Sequence, residues 1–283
     1  MRLEAPQEAL ARIVTSALAE DLGDLGDITT TSIVPAGTAM TGVIRSREAG
    51  RIAGVDAVRL VLSRLPEPAS ATILAADGAD VAAGGTVALL SGSARTLLTG
   101  ERVILNLLGR LSGIATATAA VVRAVSGTGA VIKDTRKTTP GLRLLEKYAV
   151  EAGGGVNHRS GLYDAVLIKD NHISVAGSIT NAVARARASL GQRFYVQVEI
   201  DTLEQLEEAL VCGVGAVLLD NMNPEQLRKA VAIVGGRCHT EASGGITPAN
   251  VRQVAETGVD SISLGWLTHS VRSLDLGLDI DVD

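Results

Sequence analysis

"YVQVEIDTLEQLEEALVCGVGAVLLDN", Tyr195 to Asn221, decides how this chain is read. Two short apolar runs each end in an acid, Glu199 and Asp220, with a helical segment between them. Runs that are apolar throughout, rather than alternating with polar residues, mark strands buried on both faces, as in a parallel sheet. Working outward, the same unit recurs as "AVIKDT" and "AVLIKD" upstream and as "CHTEASGG" and "SISLG" downstream. The last four runs end near Glu199, Asp220, Ser243 and Gly265. That is a period of roughly 20 to 23 residues, enough for one strand, one crossover helix and two short loops. Six successive strand ends then carry Lys133/Asp134, Lys169/Asp170, Glu199, Asp220, Glu241/Ser243 and Gly265. In a β/α barrel such ends meet at one mouth, where active sites lie.

Upstream of Ala130 the character differs. Residues 6 to 20 read as an amphipathic helix with Pro6 in its first turn. "DLGDLGDITTTSIVPAG" is turn-rich, and a strand (Met40 to Ser46), a helix (Val55 to Leu65) and two strands around "DGADVAAGG" follow. A lipoyl-type carrier hairpin is excluded, because no lysine lies between Ala71 and Ser91. The long helical stretch beginning "ARTLLTGERVILNLLGRLSG" is expected to break at Gly109 or Gly113, which puts a domain boundary near residue 112. The expected fold class is therefore α/β: an N-terminal α/β domain over 1–112 and a barrel over 113–268.

The 283 residues are 46% hydrophobic but only 2% aromatic, so aliphatic side chains must build the core. A net charge of -5 argues against a nucleic-acid binder and requires that any anionic ligand meet a local cationic pocket. Cys212 and Cys238 are too few for a disulfide framework and read as small core residues. The start lacks a signal-peptide pattern and no apolar run is long enough to span a membrane, so a soluble, cytoplasmic protein is expected.

The strand ends suggest chemistry. Glu199 and Asp220 offer hard oxygen ligands without His or Cys at zinc spacing, which suits Mg2+ held partly by substrate phosphates. The alternative is that these acids cap helices or pair with a lysine. "SGGITPAN" places Ser243, Gly244 and Gly245 before a helix expected to start at Thr247 and Pro248, a phosphate-site pattern, with "SLG" in the next unit as its companion. Arg136, Lys137, His158, Arg159 and Lys169 gather within a forty-residue window that holds seven of the chain's 26 Lys and Arg. With few acids nearby to pair them, an anionic substrate is the expected partner, since arginine forks match carboxylates two bonds at a time. Arg143 and Lys147 instead fall at helical spacing and read as a solvated face. Acids for a metal–pyrophosphate group, backbone for a phosphate and cations for carboxylates together suit transfer from a phosphorylated sugar to a carboxylated acceptor.

"KDTRKTTPGLRLLEKYAVEAGGGVNHRSGLYDAVLIKDNHI" closely resembles the signature region of the quinolinate phosphoribosyltransferases, a type II phosphoribosyltransferase family. The likeness extends through "EDLGDLGDITT", "ERVILNLLGRLSGIAT", "VEID", "LLDNM", "SGGI" and "GVDSISLGWLTHS". It implies an N-terminal α/β sandwich, joined by the tail 269–283, and an incomplete barrel of about seven strands. It further implies joining of quinolinate to 5-phosphoribosyl 1-diphosphate with Mg2+, giving nicotinate mononucleotide, CO2 and pyrophosphate for NAD synthesis. By resemblance, Thr135, Arg136, Lys137, His158, Arg159 and Lys169 bind quinolinate, and Arg102 reaches a partner subunit's site in a homodimer. Glu199 and Asp220 serve the metal, pyrophosphate and ribose, with Lys137 and Lys169 also counted as catalytic. Ser243–Gly245 and Leu264, Gly265 and Trp266 match phosphate loops, Trp266 standing where relatives carry a smaller residue. Two rivals are weaker. The molybdenum-associated ModD-type homologues lack the lysine found here as Lys169, and nicotinate phosphoribosyltransferase serves a substrate with one carboxylate.

Overall fold

The structure is a computed structural model describing residues 6–191 and 193–281, which divide by contact into two compact units. The first comprises residues up to 119, 138–154 and 267 onward; the second comprises 120–137 and 155–266. Residues 138–154, read from sequence as part of the barrel domain, thus pack with the first unit.

In the first unit, β1 (Ala39–Ser46), β2 (Gly50–Arg51), β3 (Ala69–Ile73), β4 (Asp80–Val81) and β5 (Thr86–Ser93) precede a long helix. The main sheet is antiparallel, in the order Leu276–Asp281, β1, β5, β3, while β2 and β4 form a separate ribbon. In β1, Gly42, Ile44 and Ser46 are buried while the residues between them are less so, the alternation of a sheet covered on one face. The helix Pro6–Leu22 buries Ala9, Leu10, Val14 and Leu18, and Asp56–Arg64 buries Ala57, Val58, Val61 and Leu62, stripes at three-and-four spacing. Each fully buried leucine or valine contributes about 1.5–3 kcal/mol.

The helix Ala94–Ala124 runs unbroken through Gly109 and Gly113. These glycines serve close approach rather than a break. A Cβ on Gly113 would lie 2.1 Å from the Arg272 carbonyl oxygen, and one on Gly109 would lie 2.9 Å from that of Leu274. The Leu274 N–H donates to the Gly109 carbonyl at 2.9 Å, tying the C-terminal segment along the helix. Gly113→Ala is expected to destabilise the protein by about 1–3 kcal/mol despite the better helix propensity of alanine, read as a lowered midpoint in thermal denaturation. By length and composition this helix is also apolar enough to cross a membrane. Yet 67% of its most apolar window is buried within the protein, as in a core helix.

The helix Arg143–Ala152 corrects another expectation. Lys147 is 2% exposed and Glu146 fully buried, so this is no solvated face. Glu146 takes Arg110 Nη2 at 2.7 Å, and the Thr139 N–H and hydroxyl at 2.9 and 2.8 Å, which satisfies its buried charge.

In the second unit, β6 (Val131–Lys133), β7 (Val166–Ile168), β8 (Val196–Ile200), β9 (Ala216–Asp220), β10 (His239–Ser243) and β11 (Ser261–Ser263) form one parallel sheet. Its order is β6-β11-β10-β9-β8-β7. This is an incomplete barrel: the sequence wraps around, but β6 and β7 stay unpaired with each other. The expected seventh strand shrinks to one parallel bridge between Val156 and Lys133. Cys212 and Cys238 are free and only half-buried, so neither is the core residue expected.

Candidate active site

Register builds the site. Ile168 of β7 lies opposite Val198 of β8, so the next residues, Lys169 and Glu199, come side by side, with Nζ 3.1 Å from Oε2. Asp220 of β9 pairs with Ser243 of β10, and Ser263 of β11 with Lys133 of β6. Lys169 therefore already has an acid partner and is 47% exposed, which corrects the expectation that only a substrate could pair it. Its backbone N–H donates to His172 Nδ1 at 3.0 Å, fixing the turn into the helix Asp170–Ala176.

Arg159 carries the strongest sign of an anion pocket. Its Nη1 donates to the Ala165 carbonyl at 3.2 Å. Burial, and then the positive charge of Arg136, push the guanidinium below its usual range, only partly opposed by Asp164. Two like charges held together on half-buried side chains favour a bound anion. Asp164 accepts the N–H groups of Ser160 and Gly161, closing the loop that follows Arg159. Lys137 is exposed beside half-buried Thr135 and Arg136, and its N–H donates to Thr135 Oγ1 at 3.0 Å.

His158 sits in a polar network. Its Nδ1 accepts the Arg159 N–H at 2.7 Å, while Nε2 lies 3.2 Å from Gln197 Oε1 and 3.3 Å from Glu241 Oε1. With Nδ1 as acceptor, the hydrogen on Nε2 faces these two oxygens. Its own N–H donates to buried Asp134 Oδ1 at 2.8 Å.

Glu241, noted only as a strand end, proves central. It is 1% exposed, and Lys133 Nζ (3.0 Å), Gln197 Nε2 (3.3 Å) and Ser261 Oγ (3.4 Å) converge on its Oε2. Burial alone would raise its carboxyl, but the attraction of His158 and then of Lys133 outweighs this and brings it down to about 2. The folded carboxyl ionises at lower pH than its unfolded value of 4.5. The stabilisation, about 3 kcal/mol, is therefore complete above pH ~4.5 and lost as pH falls through about 2. Acid denaturation of Glu241→Gln is expected to lack this component. Behind Lys133, His239 Nε2 lies 2.7 Å from Ser261 Oγ, and burial followed by the Lys133 charge pushes the imidazole down. The signal that could have found this polar floor is period two within buried strands: Gln197 and Glu199, then His239, Glu241 and Ser243.

The glycine loops are geometrically constrained. Gly244 has φ +86°, and a Cβ there would sit 2.2 Å from Asn221 Oδ1; Gly245 has φ +62°. Asn221 is itself left-handed at φ 53°, donates its N–H to the Ser243 carbonyl at 2.9 Å and its amide to Asp220 Oδ2 at 2.6 Å. Gly244→Ala is expected to reduce activity at least about tenfold, from backbone strain of about 1–3 kcal/mol at the loop, checked by steady-state kinetics. The helix expected at Pro248 begins only at Val251, because Asn250 Oδ1 accepts the Thr247 N–H and holds 247–250 as a turn. Trp266 Nε1 donates to the Ile246 carbonyl at 3.0 Å, so its indole braces one glycine loop against the other. Leu264 is buried, its N–H donating to the Lys133 carbonyl, and Gly265 is half-buried. Arg102 lies in the first unit with a 66% exposed side chain, 3.9 Å from Glu101.

Two family models match the chain: the N-terminal domain of quinolinate phosphoribosyl transferase over residues 27–112 and its C-terminal domain over 114–279. This chain belongs to the quinolinate phosphoribosyltransferase family. It is 45% identical over 271 residues to the probable carboxylating nicotinate-nucleotide pyrophosphorylase of Bacillus subtilis, covering 96% of this chain and 93% of that one. It is 47% identical over 278 residues to the corresponding Mycobacterium leprae protein, with 96% and 98% covered. The solved nicotinate-nucleotide pyrophosphorylase of Ehrlichia chaffeensis superposes with a TM-score of 0.93 at 43% identity, over 99% and 100% of the two chains. Human nicotinic acid phosphoribosyltransferase shares the fold alone, at 14% identity and a TM-score of 0.64 over 96% of this chain and 74% of that one.

Proposed function

We infer that this chain transfers the phosphoribosyl group of 5-phosphoribosyl 1-diphosphate to quinolinate, with loss of CO2 and pyrophosphate, giving nicotinate mononucleotide for NAD synthesis. Its family membership supports this reading, and the observation that carries it within the molecule is the like charge of Arg136 and Arg159, both half-buried in loops of the second unit. In this reading Arg159, Arg136, Lys137 and Lys169 bind the carboxylates of quinolinate, while Thr135 and His158 fix its position. The acceptor nitrogen is thereby held against the anomeric carbon, where the bond to pyrophosphate breaks as the nitrogen–carbon bond forms. Positive charge that develops on the ribose is met by Glu199 and Asp220. The ribose phosphate rests on the backbone of Ser243–Gly245 and Leu264–Trp266.

Mg2+ fits this donor set. Among the described residues no group of three or more His, Cys, Asp or Glu could cage a metal. Two carboxylates, Glu199 and Asp220, match an ion that keeps waters and takes substrate phosphates. When bound, it would neutralise the leaving pyrophosphate. The working unit is a homodimer in which Arg102 enters the partner's site, in the cytoplasm. Mixing Arg102→Ala and Lys169→Ala proteins is expected to restore up to about a quarter of wild-type activity through sites that draw both intact residues. No recovery after verified subunit exchange removes the shared site.

The deciding assay gives the purified protein 5-phosphoribosyl 1-diphosphate with either quinolinate or nicotinate, with and without Mg2+, and measures CO2 and pyrophosphate. Release of both products from quinolinate alone, dependent on Mg2+, is expected. Turnover of nicotinate in preference to quinolinate overturns the reading.

A further inference from the structure

We propose that Glu241 is a positioning residue for this reaction, fixing the His158 ring from the barrel floor and so setting the grip on the acceptor. The proposal rests on the functional reading above. Its warrant is a division of labour between the two carboxylate oxygens. Oε2 is anchored by donors from three different strands, Lys133 on β6, Gln197 on β8 and Ser261 on β11. Oε1 has no hydrogen bond to any described residue of ordinary geometry, and His158 Nε2 stands 3.3 Å away from it. A carboxylate serving only to neutralise Lys133 needs no such asymmetry.

Gln197 completes the arrangement. Its amide nitrogen holds Glu241 and its oxygen lies 3.2 Å from the same His158 nitrogen, so one side chain links both members. The imidazole thus faces Gln197 Oε1 and Glu241 Oε1 at Nε2 and accepts the Arg159 N–H at Nδ1, while Asp134 Oδ1 holds the His158 backbone. A ring held at both nitrogens adjoins Arg159, whose guanidinium is the centre of the anion pocket. Movement of the ring therefore moves the Arg159 backbone with it. Of the charged and titratable groups, Glu241 faces the ring and Asp134 the His158 N–H; Lys133 stands on the other oxygen of Glu241, with His239 and then Asp260 beyond it, and Arg136 lies near Arg159. Fixing a functional ring through a carboxylate behind it is a general device, and losing such partners commonly costs 10- to 100-fold.

The test uses the full chain with Glu241→Gln, which keeps shape and removes charge. The KM for quinolinate is expected to rise about tenfold or more, while that for 5-phosphoribosyl 1-diphosphate stays within about twofold. The imidazole 15N spectrum of His158 is expected to shift at Nε2, because the ring loses the carboxylate that stands 3.3 Å from that nitrogen. If both KM values rise together, or the quinolinate KM and the His158 15N spectrum both stay as in the wild type, the proposal is overturned. Should wild-type protein fail to use quinolinate, the functional reading falls, and the His158 15N spectrum still decides whether Glu241 governs the ring. Should Glu241→Gln not fold, Glu241→Gln with Lys133→Met leaves no unpaired lysine and carries the same expectations.

Discussion

Glu199→Gln is expected to lower kcat/KM by about a hundredfold to a thousandfold while leaving the fold intact, measured by steady-state assay beside thermal denaturation. The magnitude is that of removing one preorganised electrostatic group from the place where charge develops. Two effects combine. In the proposed reading the amide would offer Mg2+ a weaker oxygen than the carboxylate, and it releases Lys169, whose Nζ sits 3.1 Å from Glu199 Oε2. Stability changes little, because Lys169 is 47% exposed and such pairs contribute about 0–1 kcal/mol. A loss below tenfold would take Glu199 out of the reaction.

Arg159→Ala is expected to cost about a hundredfold or more in kcat/KM for quinolinate, and Arg159→Lys to recover only part of it. Hydrogen bonds between charged groups are worth about 1.5–3 kcal/mol each, and a planar fork makes two to one carboxylate. Lysine supplies a point charge and one well-directed bond. The side chain is held by the Ala165 carbonyl and crowded by the charge of Arg136, so its alignment is set before a ligand arrives. Removing one of two repelling guanidiniums should not lower the melting temperature. Equal activity of the lysine and arginine forms would show that charge alone, without the fork, does the binding.

These expectations draw on residues that were legible in sequence to different degrees. Apolar runs ending in Asp134, Lys169, Glu199, Asp220 and Ser243 revealed the parallel sheet because burial on both faces leaves few ways to write a strand. The family was readable from the central motif. What escaped was partnership. Lys169 and Glu199 stand thirty residues apart in the chain, and only the register of β7 against β8 makes them neighbours. Glu241 was visible as a polar residue in a buried run, but its meaning required three other strands. Arg143 and Lys147 misled in the opposite direction, since helical spacing of charges reads as solvent exposure, whereas Lys147 is buried and its neighbour Glu146 is answered by Arg110 and Thr139. Gly109 and Gly113 looked like helix breakers because the segment that needs their bare backbone lies some 160 residues further on.

That distant segment has a consequence for how the protein is made. Ser46 pairs with Leu276, so the first unit's sheet acquires its edge only after the barrel between them has been synthesised. Closing so long a loop is slow, and domains otherwise tend to form in order of translation. During synthesis β1 must therefore wait with a bare edge, and the early half of the molecule is the half that depends on late-arriving chain for its protection from aggregation.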